Sequence, residues 1–159
     1  MWVNGFLTYY GDQQTDLESH ADTCAIGQHA LIVHDFNCPL NVVGYDPLKV
    51  IMTPNCPTVS AVVAYDCPMI GGVFIIEVHQ AILIDHFHNN ILCPMQMRMY
   101  EFKVNEIPKY LTDNPTNQTY SIVMHEKVQT LMITFHLHGF TSYLPPVSQL
   151  WRNTSIDSW

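Results

Sequence analysis

The stretch Asp16-Leu-Glu-Ser-His-Ala-Asp-Thr-Cys-Ala-Ile-Gly27 decides how the rest of this chain is read. It closes one strand-forming segment and leads, through Gln28-His29, into a second, Ala30-Leu-Ile-Val-His34. A strand that ends in an acid (Glu18), a hydroxyl residue (Ser19) and the pair Ala21-Asp22 suits chemistry done by paired carboxylates. When two such groups share one proton, the ionised one acts as general base on water. The protonated one polarises a carbonyl. Taken alone the pattern is unspecific, because an acid beside a serine is also common in solvated turns.

The surrounding composition narrows the classes of protein that could carry this stretch. The 159 residues suffice for one domain with a real core. Hydrophobic residues make up 48% and charged ones 13%, which describes a packed chain rather than a disordered one. Six lysines and arginines stand against fourteen acids, for a formal charge of −8. That balance repels phosphate backbones, so no nucleic-acid partner is expected. No apolar run approaches the roughly 18 residues of a membrane span, so no membrane partner is expected either. The opening Met-Trp-Val-Asn-Gly-Phe lacks the basic and apolar regions of a signal peptide. Cysteines at 24, 38, 56, 67 and 93 are odd in number and form no Cys-x-x-Cys pair, which indicates buried free thiols in a reducing compartment.

Short runs rich in valine, isoleucine and tyrosine predict an all-β chain. Strands are expected at 5–10, 13–18, 30–35, 40–45, 57–65, 73–84, 99–104, 121–126 and 130–137, separated by turn residues such as Asp46-Pro47 and Gly71-Gly72. One short helix is expected from Cys93 to Met99, opened by Pro94 in its first turn. Ten prolines and this spacing favour a β-barrel or sandwich. Residues 107–120 read as a long surface loop, and periodicity is lost from Pro145 onward.

A second stretch gives the first its context. Ala81-Ile-Leu-Ile-Asp-His-Phe-His-Asn-Asn-Ile-Leu-Cys-Pro-Met-Gln-Met97 is similar to the copia-type pattern of a strand running into Asn-Leu-Leu-Ser and a short helix. Asn90-Ile-Leu-Cys93 stands on that element. Leu17-Glu-Ser-His-Ala-Asp-Thr-Cys-Ala-Ile-Gly27 resembles, in register, the retropepsin pattern of an apolar residue, Asp, Ser or Thr, Gly, Ala and Asp or Ser. It departs at His20, which some copia-like elements share, and at Glu18, where the pattern has aspartate. Over roughly residues 5 to 143 the chain therefore resembles the aspartic protease segment of a copia-type retrotransposon polyprotein.

The resemblance implies a retropepsin-like acid protease β-barrel protomer over 1–143, with a core of about 5–99 and a β extension over 100–143. Residues 144–159 would be a poorly ordered tail or linker. It implies Glu18 and Ser19 as catalytic residues, with His20, Ala21 and Asp22 against substrate. Ser19 would bond across the dimer axis, and Asp22 would orient substrate backbone or a nearby arginine. A flap is implied, with strands at 41–45 and 57–65 and its tip within 46–56. No cofactor or metal is implied. The partners would be a second copy of the chain and its own polyprotein as substrate, within cytoplasmic retrotransposon particles.

Glu18 carries one methylene more than aspartate, which moves its carboxylate by about 1.5 Å, and misplacements near 1 Å cost on the order of 10²-fold. Impaired catalysis is therefore expected. The alternatives are a catalytically inactive dimerisation or spacer module of the polyprotein, and an unrelated acidic β-barrel binding module. His86/His88 and His136/His138 could place two imidazoles on one strand face, but no third ligand stands at a useful spacing, so surface or packed histidines are expected. Met95, Met97 and Met99 are expected to fill core around the short helix.

Overall fold

The computed structural model describes residues 14–28, 30–44, 52–67, 71–107, 111–125, 130–138 and 141–144. The expected strand at 5–10, the centre of the expected flap tip and the tail from 145 lie outside them. Thirteen strands, one α-helix and a 3-10 turn at Asn117–Thr119 are described: β1 (Thr15–Leu17), β2 (Ala25–Ile26), β3 (Leu31–Asp35), β4 (Leu40–Val43), β5 (Met52–Cys56), β6 (Thr58–Cys67), β7 (Gly72–Leu83), β8 (Asn90–Leu92), α1 (Pro94–Met99), β9 (Lys103–Glu106), β10 (Tyr120–His125), β11 (Thr130–Thr134), β12 (His136–His138) and β13 (Thr141–Leu144). The chain is thus mostly β, as its valine- and isoleucine-rich runs predict. No helix among the described residues is long and apolar enough to cross a membrane.

Eight strands form one sheet in the order β12-β13-β1-β8-β2-β7-β6-β3. The pairs β1/β8 and β2/β7 are parallel, and the other pairings in this sheet are antiparallel. Its outer strands, β12 and β3, do not pair with each other, so the expected barrel is not closed among the described residues. A three-stranded sheet, β11-β10-β9, and the β4–β5 ribbon complete the strands. Leu17, Ile26, Val59, Tyr65, Val78, Leu92 and Met97 share one buried cluster with Val104, Ile122 and Ile133, so the small sheet and α1 close over the large one. Burying each such side chain stabilises the fold by roughly 1.5–3 kcal/mol.

Several boundaries differ from the sequence reading, each for an identifiable reason. The partner of β4 is β5, not the 57–65 strand. Asp46-Pro47 and Pro54-Asn55 suit a tip within 46–56, yet Pro54 lies inside β5, and a two-stranded ribbon tolerates proline because an N–H on its outer edge needs no partner. The strand expected from Met99 begins instead at Lys103: α1 runs to Met99, and the Tyr100 and Glu101 N–H groups bond back to Met97 and Arg98. Phe135 separates β11 from β12 within the expected 130–137 strand. Met95 and Met99 are exposed, and of the three methionines assigned to the core only Met97 is buried.

Candidate active site

Glu18 sits at the point where β1 ends. Its backbone N–H donates to Leu92 O at 3.0 Å, continuing the β1/β8 pairing by one residue. Its carbonyl accepts from Ala21 N–H at 3.2 Å, which closes the turn 18–21. Within that turn its Oε1 accepts the His20 N–H at 3.0 Å and lies 3.2 Å from His20 Nδ1. The carboxylate thus folds back onto the backbone N–H two residues on, a local bond typical of acids in turns. The pair is solvated, with side-chain exposures of 94% for His20 and 49% for Glu18, so it adds little stability.

The remaining expected site residues fall on the same loop. Ser19 Oγ is exposed and 3.5 Å from His20 Nδ1. Ala21 is half-buried, and its carbonyl accepts from the Cys93 thiol at 2.9 Å. Asp22 is exposed. No arginine stands beside it among the described residues, since Arg98 is engaged by Val104 O and Glu106 Oε1 at 2.9 and 2.8 Å. Ser19, His20 and Asp22 thus gather around Glu18 on one exposed turn, while Ala21 points the turn's backbone into the fold.

The side chains that hold this turn come from the second stretch. Asn90, paired with Thr15 in the parallel ladder, accepts the Gly27 N–H on Oδ1 at 3.0 Å and donates from Nδ2 to Thr15 Oγ1 at 3.3 Å. Cys93 caps α1: its Sγ accepts the Gln96 N–H at 3.4 Å, and its N–H donates to Cys24 Sγ at 3.2 Å. Burial pushes the Cys24 thiol from 9.0 up to about 11; the Cys93 N–H opposes that rise, and the Cys93 thiol adds to it. Asp16, one strand position from Leu17, takes Gln14 Nε2 at 2.8 Å and Asn89 Nδ2 at 3.0 Å, so it is a structural acid.

Gln96 was not singled out by the sequence, because a glutamine in a helix carries no signal of its partners. It nevertheless makes four bonds at once. Oε1 accepts the Cys24 N–H at 2.6 Å and Thr23 Oγ1 at 2.9 Å, and Nε2 donates to His79 O at 3.0 Å and Gln80 O at 3.3 Å. Those carbonyls are free to turn inward because β7 bulges there: two residues, His79 and Gln80, oppose Ser60, and Gln80 takes φ 54°.

His86 lies in a turn rather than a strand, and among the described residues no group of three His, Cys, Asp or Glu side chains is placed to hold an ion. Cys24, Cys56 and Cys93 are buried and free, and Cys38 is free but exposed. Comparison of the chain with protein-family models, with curated proteins and with solved structures finds no match.

Proposed function

We propose that the chain is a retropepsin-like aspartic endopeptidase protomer from a copia-type retrotransposon polyprotein, with Glu18 as its acid and with catalysis impaired by that residue. One observation carries the reading. The two stretches that resemble the family, some 70 residues apart in the chain, meet residue against residue: Glu18 on Leu92, Gly27 on Asn90, Ala21 on Cys93. The acid turn therefore rests on the second stretch and on the helix that follows it.

In this reading each chain supplies one acid and a homodimer supplies the pair. Glu18 Oε2 is the oxygen left to face water or the partner's acid, since Oε1 is held by His20. One carboxylate takes a proton from water while its protonated counterpart polarises the scissile carbonyl of an extended segment of the polyprotein. Ser19 steadies the pair across the axis, and Asp22 contacts substrate backbone. The carboxylate's bond to His20 also favours a second reading, an inactive protease-fold module retained for dimerisation within the polyprotein.

Cleavage of polyprotein-derived peptides at about pH 5, where one of two paired carboxyls is protonated, separates the two. The wild type should be slower than Glu18→Asp by on the order of 10²-fold. Equal rates would refute impairment. No cleavage by either form, with a dimer intact, would leave the inactive module as the function.

A further inference from the structure

Strand β7 is paired unevenly. On one side it runs with β6 from Gly72 to Ile82, while on the other β2 reaches it only at Ile82 and Leu83. Among the described residues no strand pairs with that second edge from Gly72 to Gln80. Along it lies a groove of about 370 Å³, lined by six consecutive residues, Phe74 to His79, and on its far wall by Met97, Phe102, Met124 and Leu131. Successive side chains of a strand point to opposite faces, so a groove beneath one face meets only every second residue. Six in succession therefore bring residues of both faces of β7 to the groove, beside the edge that no described strand pairs.

We infer that this open edge and its groove form a docking site for an extended peptide of alternating apolar and basic residues, which joins the large sheet as a strand beside β7. The floor is apolar and buried: Leu92, Ile122 and Ile133 are at most 1% exposed. Edges that are not meant to pair are usually blunted by lysine, proline or a bulge. From Val73 to Val78 the only charge is Glu77, there is no proline, and the bulge comes after, at His79–Gln80. Gln96 Nε2 occupies the carbonyls of both bulge residues and so closes the site at that end. The free stretch fits about six residues of partner backbone, roughly 20 Å long. Alternate side chains of the partner would enter the groove, and those between would pass Glu77, whose half-exposed carboxylate in a chain of net charge −8 selects lysine or arginine. Main-chain bonds would give affinity and the groove would give specificity, as in strand addition generally. The site needs no part of the Glu18 side chain, so it stands whether or not the chain is a protease.

The test is an NMR titration of the full chain with an acetylated, amidated hexapeptide of alternating valine and lysine. Saturable shifts are expected at the amides of Val73–Val78 and the side chains of Met124 and Leu131. The same peptide N-methylated at alternate residues, which removes ladder donors, should bind at least about tenfold weaker. Met124→Lys should weaken binding similarly at an unchanged melting temperature, with Leu131→Lys as the substitute if that variant does not fold. Unshifted Val73–Val78 amides at millimolar peptide, or shifts confined to the Glu18 turn, would overturn the site. Equal binding of the N-methylated peptide would reduce it to a plain apolar pocket. Concentration-dependent broadening of the same amides without peptide would assign the edge to a second copy.

Discussion

Gln96 Oε1 accepts the backbone N–H of Cys24 at 2.6 Å, while the same side chain reaches the β7 bulge through Nε2. One amide therefore ties the base of the acid loop to the long hairpin strand. Gln96→Ala leaves these groups without their partner and should cost about 2–3 kcal/mol in urea unfolding. Gln96→Glu is more informative. Its ionised carboxylate would face the carbonyl oxygens of His79 and Gln80, whereas the protonated acid can donate again. The stability gap to wild type should narrow as pH falls below about 5; a gap independent of pH would show that Nε2 is not needed.

The Cys24 thiol predicts an alkaline loss of stability. Its folded value of about 11 lies above the 9.0 expected of an unperturbed thiol. Below pH 9.0 both folded and unfolded chains hold the proton, and the full contribution is present. Above it the unfolded chain ionises first, so stability falls until the pH passes about 11, by roughly 2–3 kcal/mol in all. Urea unfolding from pH 8 to 11 should show this slope in wild type and lose it in Cys24→Ala, which starts from a lower value because of its cavity.

Gly27 packs without a side chain against the turn that precedes β8. A Cβ there would collide with the carbonyl oxygen of Phe87, and backbone cannot swing aside as a flexible side chain can. Gly27→Ala should destabilise by about 1–3 kcal/mol, lowering the melting temperature by several degrees. An unchanged melting curve would mean that the 84–89 turn yields freely.

Cys93 acts as a helix cap rather than as a reactive thiol. Cys93→Ser keeps an acceptor for the Gln96 N–H and a donor for Ala21 O, so it should stay within about 1 kcal/mol of wild type. Cys93→Ala removes both and should cost about 1–2 kcal/mol. Calorimetry on the pair reads the difference; equal losses would show that sulfur volume, not bonding, is what matters.

Much of the local structure was legible in the chain. The valine-rich run 57–65 and the run 73–84 are β6 and β7, and Pro94 opens α1 as its fixed φ favours. The gathering of Glu18, Ser19, His20 and Asp22 on one turn followed from their adjacency. Short pairings were not legible. Thr141–Leu144 is four residues long with no clear period, and becomes a strand because β1 lies beside it at Leu144 and Ser142. Met52–Cys56 contains a proline and still pairs with β4.

Residue types and their spacing thus determined that this chain is built mostly from strands, where α1 starts, and which acid ends β1, because periodicity and turn chemistry act between near neighbours. That Asn90 holds Gly27, that Cys93 holds Ala21, and that among the described residues β2 meets β7 only at Ile82 and Leu83 were settled by pairing across some 60–70 residues. Such contacts require a long loop to close and are then locked by side chains that meet only once the register is set. For Glu18 the two levels meet: the sequence supplies one methylene too many, and the folded turn gives that longer carboxylate His20 as its nearest partner.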